Sequence, residues 1–268
     1  IKPNASMKAG EVLNMLDGVK EIKDIQEVQM FVPRGYQQAK TKMLKITLSN
    51  PQDVPRIREK LSSIGVAEEI FEADIMFKYR FMIDNAIYGM QWLEIECTKT
   101  QKTVKSKVTT YAAKSIAPID RNENVGLRYM AFDIECVPTD ARRPLDARTD
   151  PIVMVSISFY PDFRGRKSLV LLARPFSGQD AQGFATEKEM LEEFSSIVDS
   201  FDPDIITGYN INAFDFPYLV ERMKRNKIAK NLGRADKDIF SRTYGITNEY
   251  VIAGRVVVDP YQILKRDP

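Results

Sequence analysis

Asp133 and Glu135 stand two residues apart in the otherwise apolar run Leu127–Val137, LRYMAFDIECV, which reads as a strand. Side chains alternate along a strand, so both acids share one face while Phe132, Ile134 and Cys136 take the other. Two carboxylates about 7 Å apart repel each other unless a cation lies between them. With no imidazole or thiolate partner, that cation would be a hard one, Mg²⁺ or Mn²⁺ rather than zinc. A D-x-E pair is common, and taken alone it is more simply two solvated acids on a strand edge.

A second segment bears on the choice. In GYNINAFDFPYL, Asp215 falls where a short buried strand, Asp204–Gly208, gives way to a helix expected over Phe214–Lys227. The crevice beyond strand carboxyl ends is where α/β sheets place their sites. If the two strands are neighbours, Asp215 faces Asp133 and Glu135. Three acids could then hold two metal ions for phosphodiester hydrolysis. Alternatively Asp215 is a helix N-cap, and Asn210 and Asn212 are ordinary loop formers.

Composition narrows the remaining chemistry. The 268 residues include no histidine, which removes Ser-His-Asp and Cys-His triads, imidazole zinc sites and histidine bases together. Cys97 and Cys136 are too few for a disulfide framework. The net charge of +2, from 39 basic and 37 acidic residues, selects no partner. No apolar run approaches a membrane span, and IKPNASMKAG has no secretion-signal pattern, so a soluble, cytoplasmic protein with no membrane partner is expected. Cys97–Pro118 carries Lys99, Lys102, Lys105, Lys107 and Lys114 with no acid. It reads first as a solvated β-ribbon edge and second as a phosphate-tracking strip.

The elements that must position these residues form an α/β (α+β) chain. Before the acidic strand, Met43–Leu48 reads as a strand. Next come a helix with Asp53 as N-cap, Pro55 in its first turn and Ile57 and Leu61 inward, and a Gly65 stop. Period does not separate helix from strand over Ile70–Asp84, and Trp92–Glu96 alternates like a strand. After the acidic strand come a polar Asp/Arg loop, Pro138–Asp150, and two strands, Ile152–Phe159 and Ser168–Ala173. Thr186–Phe201 predicts a helix, with a Thr186/Glu189 capping box and an apolar face of Met190, Leu191, Phe194, Ile197, Val198 and Phe201. In this order the fourth strand, Asp204–Gly208, pairs beside the first.

AFDIE and ITGYNINAFDFPYL resemble the first and second exonuclease motifs of family B DNA polymerases, the archaeal type most of all. NPQDVPRIREK and IFEADIMFKYRFMID resemble that family's N-terminal domain, and GRVVVDPYQILKR a later strand-and-helix segment. The resemblance runs from Leu44 to Arg266. It implies an N-terminal domain over 1–127 and a ribonuclease H-like 3′–5′ exonuclease domain over 128–268. It further implies Asp133, Glu135 and Asp215 as catalytic metal ligands for Mg²⁺ or Mn²⁺, with Asn210, Phe214 and Tyr209 at the 3′ end of single-stranded DNA. Val54, Ile75, Met76, Phe77 and Arg80 fall on positions of a template-uracil pocket, Met76 replacing the usual proline. Val54, Ile75 and Phe77 are otherwise plain core.

The family's third motif, Tyr-x-x-x-Asp, supplies a fourth carboxylate. Here that spacing occurs at Tyr129–Asp133, which is the first motif itself. The resemblance therefore implies a piece of a polymerase that by itself binds metal poorly and cleaves weakly or not at all. The parent enzyme would use primer-template DNA, deoxynucleoside triphosphates and a sliding clamp engaged through regions outside this chain, on nucleoid DNA. Two other readings stand beside it. One is a stand-alone carboxylate nuclease whose fourth ligand is Asp259 or Asp204; the other is a non-catalytic nucleic-acid-binding module.

Overall fold

The computed structural model describes residues 1–3, 9–16, 19–33, 35–99, 106–245 and 247–265. Lys102, Lys105 and Arg266 lie outside them. The chain divides into two compact units, residues 1–95 with 116–121, and residues 96–115 with 122–268.

The first unit holds β1 (Lys2–Pro3), α1 (Ala9–Leu16), β2 (Ile22–Met30), β3 (Thr41–Leu48), α2 (Val54–Ser63), β4 (Ala67–Glu69) and α3 (Phe77–Asp84). β2 and β3 pair antiparallel, and β1 pairs antiparallel with β4. Val12, Leu16, Leu44, Ile57, Leu61 and Val66 form its core. Asp53 precedes α2 as expected, but its carboxylate makes no capping bond and pairs with Arg56 at 3.1 Å. Ile70–Asp84 resolves into a loop and α3. Ile75, Met76 and Phe77, the last 57% exposed, stand at the surface, which corrects the reading of Ile75 and Phe77 as core. Val54 is half-buried, and Arg80 is ion-paired with Glu72 and Asp84.

The division between units falls within a hairpin of β5 (Leu93–Lys99) and β6 (Tyr111–Pro118). Its described lysines are partly committed to acids. Lys114 pairs with Glu96 at 3.4 Å, and Lys107, just ahead of β6, with Asp199 at 3.0 Å.

The second unit is built on one mixed sheet. Its strands are β7 (Tyr129–Cys136), β8 (Ile152–Phe163), β9 (Arg166–Leu172), β10 (Ala181–Gly183), β11 (Ile205–Thr207) and, further on, β14 (Val256–Val258). The spatial order is β10-β9-β8-β7-β11-β14. β7 pairs antiparallel with β8 and parallel with β11, so the expected adjacency of the first and fourth strands is present. α4 (Glu187–Phe201) and α5 (Asp215–Arg225) pack on this sheet, Phe132 touching Phe194 of α4 and Phe216 of α5 at 5.3 Å each. Thr186 caps α4 by accepting the Glu189 N–H, and all six residues of the expected apolar face are buried. A hairpin of β12 (Phe240–Tyr244) and β13 (Thr247–Val251) follows α5, and α6 (Pro260–Leu264) follows β14.

The two helices are locked by a nearly buried bidentate pair. Arg222 donates from Nε (2.8 Å) and Nη2 (2.5 Å) to the Glu187 carboxylate. Asn226 and the Ile152 N–H satisfy the same carboxylate, and Arg222 also reaches the Ala147 carbonyl at 3.1 Å. Removing one partner strands the other charge away from water. Arg222→Ala is therefore expected to destabilise the chain by about 3 kcal/mol or more, read as a lower urea midpoint. An unchanged midpoint would mean the pair contributes no net stability.

Candidate active site

β7 presents Asp133 and Glu135 exposed on one face, while Met130, Phe132 and Ile134 are buried on the other. On the β8 side these acids stand opposite Ser156 and Met154. On the other side β11 ends at Thr207, which pairs with Ala131. Gly208 follows in a space no side chain could enter. A Cβ there would fall 2.5 Å from the Phe132 carbonyl oxygen and 2.2 Å from the Ile211 side chain. The backbone must pass against β7 at this point, and the loop then swings into α5.

That course delivers Asp215 to the open flank of β7. Its Oδ1 accepts the Ile134 N–H at 3.1 Å, and the residue is only 2% exposed. Burial pushes its carboxyl up to about 6; the Ile134 N–H opposes that rise, while the charges of Asp133 and Asp259 add to it. Asp215 thus lies within electrostatic reach of Asp133. Among the described residues, however, no three Asp, Glu or Cys side chains converge closely enough to hold a metal ion. The donor set, all carboxylate oxygen, has the chemistry of a hard divalent cation site.

The residues expected at a DNA 3′ end, Tyr209, Asn210 and Phe214, lie on the segment between β11 and α5. Asn210 adopts a left-handed backbone (φ 62°) and turns the loop, its carbonyl accepting the N–H groups of Ala213 and Phe214. Tyr209 is 63% exposed, its ring edge-on to Tyr261 at 5.4 Å. Phe214 leans on Tyr218 at 5.5 Å. These two rings line an open groove of about 630 Å³, with Pro144, Leu145, Arg143 and Arg148 among the facing residues.

The groove's far wall was not anticipated. Pro138–Asp150 is a self-paired loop organised by Asp150, which is fully buried. The Asp150 carboxylate accepts from the Thr139 N–H and hydroxyl, from both Arg143 amino groups and from the Asp146 N–H. Burial works against its charge, but these donors outweigh it and hold the carboxyl well below the ordinary range. The alternation of Asp and Arg in DARRPLDARTD was a visible signal for such a loop: Asp140 pairs with Arg142 and Asp146 with Arg148. Tyr218 ties it to α5 by donating its hydroxyl to the Asp150 carbonyl at 3.0 Å. Burial pushes the thiol of Cys136, beside Tyr218, up to about 11, which disfavours its thiolate.

The two acids considered as a fourth ligand are otherwise employed. Asp204 accepts from the Arg128 N–H and from Arg234 at 2.8 Å each. Asp259 accepts backbone N–H groups from Asn210, Asn212 and Tyr261.

Residues 68–268 match the family described as DNA polymerase family B, exonuclease domain. The chain is similar to the DNA polymerase delta catalytic subunit of Arabidopsis thaliana, 31% identical over 287 aligned positions, covering 92% of this chain and 26% of that protein. It is also similar to DNA polymerase 2 of Aeropyrum pernix, 33% identical over 224 positions, with coverages of 81% and 25%. Among solved structures, the family B DNA polymerase from the archaeon Pyrobaculum calidifontis superposes with a TM-score of 0.74 at 28% identity, covering 100% of this chain and 32% of that one. The chain thus spans about a quarter of the length of the curated relatives it matches.

The raised Asp215 carboxyl carries a signed consequence. The folded chain holds this proton more tightly than the unfolded one. Its contribution therefore favours folding as pH falls from about 6 towards the ordinary aspartate range, and is unfavourable above about 6. A carbon-detected NMR titration of the metal-free chain should show an aspartate midpoint near 6 that vanishes in Asp215→Asn. An ordinary aspartate midpoint would contradict the burial argument.

Proposed function

The chain belongs to the family B DNA polymerase exonuclease-domain family, and from that premise we propose that it is the 3′–5′ proofreading part of a DNA-directed DNA polymerase. The observation that carries this reading is the Asp215 carboxylate on the Ile134 N–H, which sets a buried acid beside the strand bearing Asp133 and Glu135. In this reading residues 128–268 are a ribonuclease H-like exonuclease domain, and residues 1–127 are the family's N-terminal domain.

Asp133, Glu135 and Asp215 would hold the divalent ions. When bound, Mg²⁺ or Mn²⁺ supplies Lewis acidity towards the attacking water and the departing 3′ oxygen. The chain's own residues do the rest. Phe214, 38% exposed, offers its ring in the groove to an unstacked terminal base, a sequence-tolerant contact. Tyr209, exposed on the same loop, and Asn210, at the loop turn, meet the strand's 3′ end. Water oxygen bonds to the terminal phosphorus, the bond to the penultimate 3′ oxygen breaks, and a nucleoside 5′-monophosphate leaves. With three acids and no Tyr-x-x-x-Asp spacing other than Tyr129–Asp133 to add a fourth, this chain alone should turn over slowly.

The whole polymerase would add deoxynucleoside triphosphates to a primer-template and meet a sliding clamp through other regions, inside the cell. The exposed Ile75, Met76 and Phe77, with Val54 and Arg80, would meet a template base on the first unit.

Calorimetric titration with Mn²⁺ tests the site directly. Affinity should fall about tenfold or more in Asp133→Ala and in Asp215→Asn. With enzyme in excess over a 5′-labelled single-stranded oligonucleotide and Mn²⁺, any shortening from the 3′ end should disappear in Asp133→Ala. Mn²⁺ affinity indifferent to both substitutions, or shortening that persists without Asp133, would sink the reading.

A further inference from the structure

The loop that carries Tyr209, Asn210 and Phe214 has no sheet to order it, because β11 stops at Thr207. Part of its hydrogen bonding is internal: Ala213 and Phe214 donate to the Asn210 carbonyl, and Phe216 to that of Ile211. The N–H groups of Asn210 and Asn212 both end on one side chain far along the sequence. Asn210 donates to Asp259 Oδ1 at 2.9 Å and Asn212 to Oδ2 at 3.1 Å. Asp259 is 6% exposed and caps α6 through the Tyr261 N–H at 3.1 Å. It reaches the loop because β14 lies beside β11, Thr207 opposite Val258, with the Thr207 hydroxyl donating to the Val258 carbonyl at 2.8 Å.

We propose that Asp259 is a positioning residue of this site and not a metal ligand: its two oxygens clamp the loop and so fix Asn210 at the 3′ end and Asp215 at the start of α5. The inference rests on the exonuclease reading for its functional half. The chemistry explains the residue type. Two N–H donors aimed at two different oxygens need both oxygens to accept, which a carboxylate does and a carboxamide does not. A buried carboxylate this near Asp215 is electrostatically unfavourable, so packing alone does not account for it. Asn212 extends the clamp by accepting the Tyr250 N–H at 2.9 Å, and the Tyr250 ring stacks on Phe216 at 5.3 Å. The first turn of α5 is thereby held from the β13 side as well.

Asp259→Asn keeps a capping oxygen for α6 but turns one acceptor into a donor; Asp259→Ser keeps a single capping oxygen and serves if the first variant folds poorly. In the 268-residue chain, amide exchange should lose about fivefold or more of its protection at Asn210 or Asn212, the cost of one hydrogen bond. The KM for a single-stranded oligonucleotide should rise several-fold, while Mn²⁺ affinity stays within about threefold of wild type, unlike the tenfold loss expected of a ligand. Unchanged exchange at both amides overturns the clamp. Lost protection with an unchanged oligonucleotide KM overturns the positioning role. A Mn²⁺ loss as large as that of Asp133→Ala makes Asp259 a ligand and overturns the proposal. If the wild type neither binds nor shortens the oligonucleotide, the exonuclease reading fails, and the exchange data still decide the clamp.

Discussion

β11 pairs with the first three residues of β7 and no more, so beyond Ala131 that flank of β7 has no strand beside it. The Ile134 N–H points there, in a buried setting, and Asp215 accepts it at 3.1 Å. A donor left unpaired in such a place costs about 1–3 kcal/mol, and a charged acceptor is the stronger partner. Yet burial and the neighbouring Asp133 both press the carboxylate towards its neutral form. The strand asks for a negative charge where the surroundings resist one. A proton relieves that conflict below about pH 6; above it, a cation would relieve it without giving up the hydrogen bond. The short β11, the bare Gly208 and the course of the loop all serve to create this position.

The opposite end of the same strands shows what the chain does with acids that have no such role. Asp202, the left-handed C-cap of α4 at φ 50°, takes Arg128, Arg234 and Arg255 at 2.7 Å each. Asp204, one residue before β11, takes Arg234 at 2.8 Å. Burial disfavours the charge on both, and the arginines outweigh it, holding both carboxyls below the ordinary range. One sheet therefore has acids matched with guanidinium groups at one end and, at the other, Asp133 and Asp259 whose charges raise the Asp215 carboxyl. Stability alone would favour pairing at both ends.

What was legible in the sequence follows from which interactions are local. The helix Glu187–Phe201 announced itself because its cap and its apolar stripe are short-range patterns. The D-x-E strand and the Asp215 junction were legible for the same reason. α3 was not: Phe77, Tyr79, Phe81 and Ile83 alternate with Lys78, Arg80, Met82 and Asp84, a strand period in a segment that is helical and largely exposed. β2 hid in the reverse way, with half-buried Ile22, Ile25 and Val28 recurring every third residue across a bulge. The Asp/Arg alternation around Asp150 was a local signal, whereas the Asp259 clamp needed the fold. Asp259 meets its loop from 49 and 47 residues away, and no window of local pattern spans that distance.

This separation of tasks bears on how the site is built. The residues with candidate chemistry lie on a central strand and at the first turn of a helix, both rigid through Phe132, Phe194 and Phe216. The residues that would meet a DNA end lie on the connecting loop, which has no ladder of its own and borrows order from Asp259 and Asn212. Rigid placement suits carboxylates whose spacing must match an ion, since small displacements degrade such sites. A tethered loop suits a partner that arrives as an unstacked strand of any sequence, because the tether fixes the turn while side chains at its apex remain free to adapt. The exposed ring of Tyr209 beside the anchored backbone of Asn210 shows both properties within two consecutive residues.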